Sequence, residues 1–171
     1  MLIRILGGVM ICAACGLLGL YMSHRGVARA RLLAEFKQSL TMLKSEIEYA
    51  AYPMPQAFSD IANATSENLA AFYDELSHKL IEKEMSLADA WEIGLAKFQN
   101  TQLTAEDMRT IGNLGRSLGN IDAIAQIQAI DLTIKSIDEI LARLAMKNAK
   151  DGKMYKQLGL LGGALIVVVL I

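Results

Sequence analysis

The chain has 171 residues, 53% of them hydrophobic and 20% charged, with 17 basic and 18 acidic side chains for a formal net charge of −1. That is the length of one domain, too aliphatic for a disordered chain and too evenly charged for a nucleic-acid binder. Two prolines are too few for a β-sandwich with its many turns, and a mean hydropathy of +0.32 implies that part of the apolar content serves a bilayer.

Ile5 to Met22 is a run of 18 residues without a charge. At a rise of about 1.5 Å per residue it reaches about 27 Å, close to the hydrocarbon thickness. Arg4 precedes it, and His24, Arg25, Arg29 and Arg31 follow. This bias expects an uncleaved anchor over residues 1–23, with the N-terminus outside and the downstream side in the cytoplasm. The rival is a cleaved signal peptide, and Ala13-Ala14-Cys15 faintly resembles a lipoprotein cleavage site, but Cys12 stands where that signal wants Leu. Cys12 and Cys15 have the separation of a metal or redox pair, yet no His or second Cys pair stands near them. They read as small residues of a membrane helix. Gly8, Cys12 and Gly16 form a small-residue face on it.

The middle of the chain reads as helices. Leu33, Phe36, Leu40, Leu43 and Ile47 repeat at alternating spacings of three and four, one apolar stripe that continues the anchor through Gly26. Pro53 and Pro55 break it. A short helix then carries Phe58 and Ile61, and Leu69, Phe72, Tyr73, Leu76 and Leu80 mark a third. Ser86 with Asp89, and Thr104 with Asp107, resemble capping boxes that open a fourth helix with Trp91, Leu95 and Phe98 and a fifth with Met108, Ile111 and Leu118. Gly119 is expected as a C-cap and Asn120 as the next N-cap. The last helix holds Ile127, Ile130, Ile134, Ile137, Leu141 and Leu144 at coiled-coil-like spacing, and its stripe suits that of the first helix as an antiparallel partner.

Leu158 to Ile171 is a second apolar run of 14 residues. Alone it reaches about 21 Å, and Met154 and Tyr155 extend it while Lys153 and Lys156 snorkel outward. Lys147, Lys150, Lys153 and Lys156 again keep the middle of the chain on the cytoplasmic side. Gly159 and Gly163 repeat the small-residue face, which either pairs the two membrane helices or joins subunits in a homo-oligomer. Between the basic roots, residues 45–142 hold 16 acidic and 6 basic side chains. Such a body is repelled by anionic lipid and offers an acidic surface to a partner, or serves solubility alone.

The chemistry is defined by what is missing. No H-E-x-x-H, nucleophile elbow or phosphate-binding loop occurs. His24 is expected at the membrane edge and His78 late in a helix, where a cation is favoured. Glu46 and Glu48 lie two apart and face different ways on a helix. No catalytic residue, cofactor or metal is expected. The remaining feature is a corner, Leu114-Gly115-Arg116-Ser117-Leu118-Gly119-Asn120-Ile121-Asp122 followed by Gln126, where two glycines allow close backbone approach and Asp122 favours the helix N-terminus.

That corner resembles the LGxxLGxxDxxxQ signature of the stage III sporulation protein AB family. Leu43 with Glu46-Ile47 and Tyr49, Pro53-Met54, Ala90-Trp91-Glu92, and Lys153-Met154-Tyr155-Lys156 before Leu158-Gly159 resemble further family positions in the same order, over the whole chain. The family is similar to the F-type inner-membrane platform protein of type II secretion and type IV pilus machines. The residues themselves read as an all-α fold, an antiparallel helical bundle of about six helices flanked by N- and C-terminal membrane helices, and the resemblance likewise implies a helical cytoplasmic domain. Residues 24–152 would be the cytoplasmic domain and 153–171 the second membrane segment. It also implies the mother-cell membrane facing the forespore, and a channel complex with other stage III sporulation proteins and the stage III sporulation protein AA ATPase. The residues it carries over are Glu46, Tyr49, Trp91, Leu114, Gly115, Leu118, Gly119, Asp122 and Gln126. The expected role is a non-enzymatic assembly platform in the bilayer that docks this ATPase. The alternative is a passive membrane tether or oligomeric scaffold without that contact.

Overall fold

The structure is a computed structural model that describes residues 26–50, 53–83, 85–119 and 122–170, with residues 50 and 148–170 described by their backbone alone. Every element among them is helical and there is no strand. Helix α1 covers 26–45 and runs into a π-helical turn, Glu46–Ala50. Then follow α2 (Met54–Ala64), α3 (Glu67–Ile81), α4 (Leu87–Ala96) with a 3₁₀ turn Lys97–Asn100, α5 (Ala105–Leu118) and α6 (Ala123–Leu170). Residues Arg29–Leu141 form one compact unit, and the described residues 26–28 and 142–170 fall outside it. The segment 1–23 lies outside the described residues, as do the side chains of 153–171. Among the described residues no helix is long and apolar enough to cross a membrane.

The expected stripe of α1 is buried at Leu33, Phe36, Leu40 and Leu43. Ile47 is only half-buried, because the wider π turn shifts it off the line. Leu32 and Ser39 are buried as well, so α1 is covered along two adjacent lines rather than one. Helix α2 opens with Pro55 in its first turn, where a missing N–H costs nothing. It buries Ala57, Phe58 and Ile61 against α3, and Ser77 of α3 donates to the Pro55 carbonyl at 2.8 Å.

Two ion pairs set α1 against α6. Lys37 Nζ meets Asp138 at 2.6 Å and Lys44 Nζ meets Asp131 at 2.8 Å. Seven residues forward on one helix match seven back on the other, the antiparallel register expected from the stripes. The face that α6 buries is turned slightly from expectation. Its buried line is Ile130, Thr133, Ile137, Ile140 and Leu144, while Ile127, Ile134 and Leu141 flank it half-buried. Thr133 fits there because its hydroxyl returns to the Ala129 carbonyl at 2.8 Å.

Other contacts assign the connections to ends. Ser66, which opens α3, donates to Glu35 at 2.7 Å, and Arg29 bonds Thr104 and Asp107 at the start of α5. The α2–α3 and α4–α5 turns therefore lie beside the first half of α1. The α1–α2, α3–α4 and α5–α6 connections gather at the opposite end.

Between the ends, all four phenylalanines join Tyr73 and Trp91 in one cluster. Phe72 lies at its centre, with ring centroids 5.0 Å from Tyr73, 5.1 Å from Trp91, 5.8 Å from Phe98 and 6.1 Å from Phe36, all edge to face. That is the favoured geometry for aromatic quadrupoles. A Cβ on Gly94 would come within 2.8 Å of the Phe72 ring, so α4 needs glycine there to approach α3. Tyr73 is fully buried, and burial pushes its phenol upward against the opposing bond to Ser39. Ser39 Oγ spends its proton on the Phe36 carbonyl at 2.8 Å, so the Tyr73 hydroxyl donates across the other 2.8 Å contact.

Candidate functional site

The residues of the sequence signature build the α5–α6 corner. Leu114 and Leu118 are buried on α5, and Gly115 between them faces Trp91 of α4. A Cβ at Gly115 would fall on the indole, 2.7 Å from Trp91 Cβ. The absent side chain lets the ring lie on the α5 backbone, where Nε1–H donates to the Ile111 carbonyl at 3.0 Å. Trp91 is a core residue with its one donor satisfied. Gly119 behaves differently from expectation. It is the C-cap, but its φ is −72° and an added Cβ would meet nothing nearer than 3.8 Å, so neither space nor backbone demands glycine. Close approach rests on Gly115 alone.

Across the corner, Gln126 Nε2 donates to the Leu118 carbonyl at 2.9 Å and so closes the C-terminus of α5 from the first turn of α6. Asp122 caps α6: its Oδ1 accepts from the Ile124 amide at 3.0 Å, and its carbonyl accepts from the Gln126 amide at 3.1 Å. The N-cap is thus Asp122, and Asn120, the expected cap, lies outside the described residues.

Glu46 and Tyr49 lie in the π turn that ends α1. Continuing the Lys37–Asp138 and Lys44–Asp131 register carries that turn toward the start of α6, so both residues share an end of the bundle with Asp122 and Gln126. Glu46 is half-buried, whereas Tyr49 is 81% exposed. Ile124, in the first turn of α6, is also exposed. Lys44 below them is held above its ordinary range by its hydrogen bond to Asp131, against some burial, with Glu48 and Tyr49 adding to the effect. This end presents an aromatic ring, an aliphatic side chain and carboxylates. Among the described residues no three His, Cys, Asp or Glu side chains come together to hold a metal ion. His78 lies exposed in the last turn of α3, 3.7 Å from Asp74.

The acidic surface is smaller than the residue count implies. Asp131 and Asp138 pair with the α1 lysines, and Glu75 pairs with Lys97 and Lys79. The hydrogen bond from Lys97 holds the Glu75 carboxyl low against partial burial, with help from Lys79. Asp107 is wholly internal, and the sequence reading missed its partner. Its side chain is 0% exposed and takes a forked bond from Arg29, Nε at 2.8 Å and Nη2 at 2.9 Å. It also completes the α5 capping box with the Thr104 amide at 2.7 Å. Burial alone would push this carboxyl up; the bonds from Arg29 and Thr104 outweigh that and hold it below the usual range. Arg29, one of the basic residues counted after the first apolar run, is committed to this pair. A signal for it existed. Asp107 stands on the line of Leu103, Ile111, Leu114 and Leu118, and a carboxylate on a buried stripe requires a cation. Gly8, Cys12 and Gly16 lie outside the described residues, and of Gly159 and Gly163 only the helical backbone is described.

The family model for stage III sporulation protein AB matches residues 4–171. The chain belongs to the stage III sporulation protein AB family. It is 28% identical over 170 residues to Stage III sporulation protein AB of Bacillus subtilis (strain 168), covering 99% of both chains. A solved structure of Stage III sporulation protein AB matches 71% of this chain and 97% of its own length, with a TM-score of 0.66 and 24% identity. At that identity the likeness speaks for the fold. For this member of the family, the signature Leu114–Gln126 is a device for joining α5 to α4 and α6.

Proposed function

We propose that the chain is a non-enzymatic platform of the mother cell–forespore channel complex. In this reading it is held in the mother-cell membrane by residues 1–23 and 153–171, and its helical domain stands in the cytoplasm. The end that carries the α5–α6 corner and the π turn receives a cytoplasmic secretion-type ATPase similar to stage III sporulation protein AA. Membership of the family supports the process, and the basic flanks of both apolar segments support the topology.

The observation that carries the docking end is Tyr49. Packing or capping accounts for Trp91, Leu114, Gly115, Leu118, Asp122 and Gln126. Tyr49 packs on little, at 81% exposure, inside a helical turn of a kind frequent at functional sites. Exposed aromatic rings are the usual anchors of protein contacts.

The test is calorimetric titration of the ATPase into the full-length chain in lipid nanodiscs, at low and moderate salt. Tyr49→Ala and Glu46→Lys are expected to weaken binding about tenfold each with helical content unchanged, and binding should weaken as salt rises. Wild-type affinity in both variants would remove this end from the contact. No binding by the folded wild-type chain would favour a passive tether. Asp122→Lys is a poorer probe, since it also strips the α6 cap.

A further inference from the structure

Arg29 is the first residue of the compact unit Arg29–Leu141. Its guanidinium ends on Asp107, and the same carboxylate is the acidic half of the α5 capping box. One buried carboxylate therefore joins the root of α1 to the first turn of α5. It accepts from Arg29 Nε and Nη2 and from the Thr104 amide and hydroxyl, and this leaves it fully satisfied only while the arginine is in place. Helix α5 is held at two further heights. Trp91 bonds the Ile111 carbonyl across Gly115, and Gln126 bonds the Leu118 carbonyl at the corner. With the indole seated on bare backbone, a shift of α5 along α4 disturbs the Trp91 bond and the corner together.

We infer that the Arg29–Asp107 pair is a conformational relay between the root of α1 and the α5–α6 corner. Displacing the chain before Arg29 withdraws the guanidinium from a carboxylate that cannot stay buried alone. The carboxylate then leaves, the α5 cap opens, and the helix loses the position in which Leu118 and Gln126 meet. The relay is built only from ties inside the unit and holds whether or not an ATPase docks at the corner.

Hydrogen exchange read by mass spectrometry, on the full-length chain in nanodiscs of phosphatidylethanolamine and phosphatidylglycerol, tests it. Arg29→Gln should speed exchange about tenfold or more in both 105–118 and 122–130, while 54–81 changes by less than about twofold. Coupling between two sites is reciprocal, so Gln126→Leu at the corner should in turn speed exchange at the Asp107 and Met108 amides. Loosening confined to 104–108 in Arg29→Gln, or a cap unmoved by Gln126→Leu, overturns the relay. If Arg29→Gln loosens the whole unit uniformly, Arg29→Lys decides, because it keeps the charge and loses the fork. A joint rise at cap and corner then supports the relay, and a loosened cap beside an unchanged corner overturns it.

Discussion

The two ends of α5 use the same residue type in opposite ways. At its start Asp107 is sealed from water and takes bonds from an arginine, a backbone amide and a hydroxyl. Just past its end Asp122 is exposed and holds the first amides of α6. Both carboxylates favour a helix N-terminus, and only the first joins distant parts of the chain. A motif can therefore be most visible where its energetic weight is modest. The corner carries the signature, while the buried pair that steadies its helix is written as two unremarkable letters 78 positions apart.

The largest test of this contrast is Asp107→Ala, which strands Arg29 and removes half of a capping box. It should cost about 3 kcal/mol, the low end for a broken buried pair because Arg29 keeps 20% of its side chain in water. Denaturant unfolding of the full-length chain in detergent would measure it. The pH dependence has a definite sign. A depressed carboxyl contributes stability that is complete above its unfolded value of about 3.9 and is lost as pH falls through the lower folded value. Wild type should thus lose stability below about pH 4 more steeply than Asp107→Asn, in which that titration is gone.

Next comes the pair of glycines. Gly115→Ala should cost about 2 kcal/mol by overpacking against Trp91, whereas Gly119→Ala should lie within about 0.5 kcal/mol of wild type, since its backbone and surroundings accept a methyl. Equal effects at the two positions would erase the distinction between a contact glycine and an incidental one. Asp122→Ala should follow at about 1 kcal/mol, the usual weight of an N-cap. The smallest effect concerns Lys83, which ends α3 with a φ of 55° where glycine is at ease. Lys83→Gly should raise stability by about 0.5 kcal/mol, read as a small increase in the unfolding midpoint.

Much of the bundle was legible because its stripes are regular. Leu33, Phe36, Leu40 and Leu43 lie in the core where their spacing puts them, and the antiparallel partner of α1 follows from a matching stripe. Periodicity names a face, but its width depends on how many neighbours cover it. Leu32 and Ser39 are buried for that reason, and α6 turns far enough to bury Thr133 and Ile140. The glycines were legible only as a set. Gly94 and Gly115 differ from Gly119 in what stands opposite, Phe72 and Trp91 on other helices, and no local rule supplies that. Of the carried-over residues, Glu46, Tyr49, Asp122 and Gln126 share one end because three connections fall there, a consequence of chain direction rather than of spacing.

Trp91 is the chain's one tryptophan, and it sits with its indole N–H bonded, its ring among phenylalanines and its face on the α5 backbone. The molecule therefore carries an optical gauge of its own joint. Any movement that lifts α5 from α4 must wet this ring and shift its emission to the red. Tyr73 lies 6.3 Å away, close enough to hand its excitation to the indole. The state of the joint can be followed, without a label, from the colour of a single emission band.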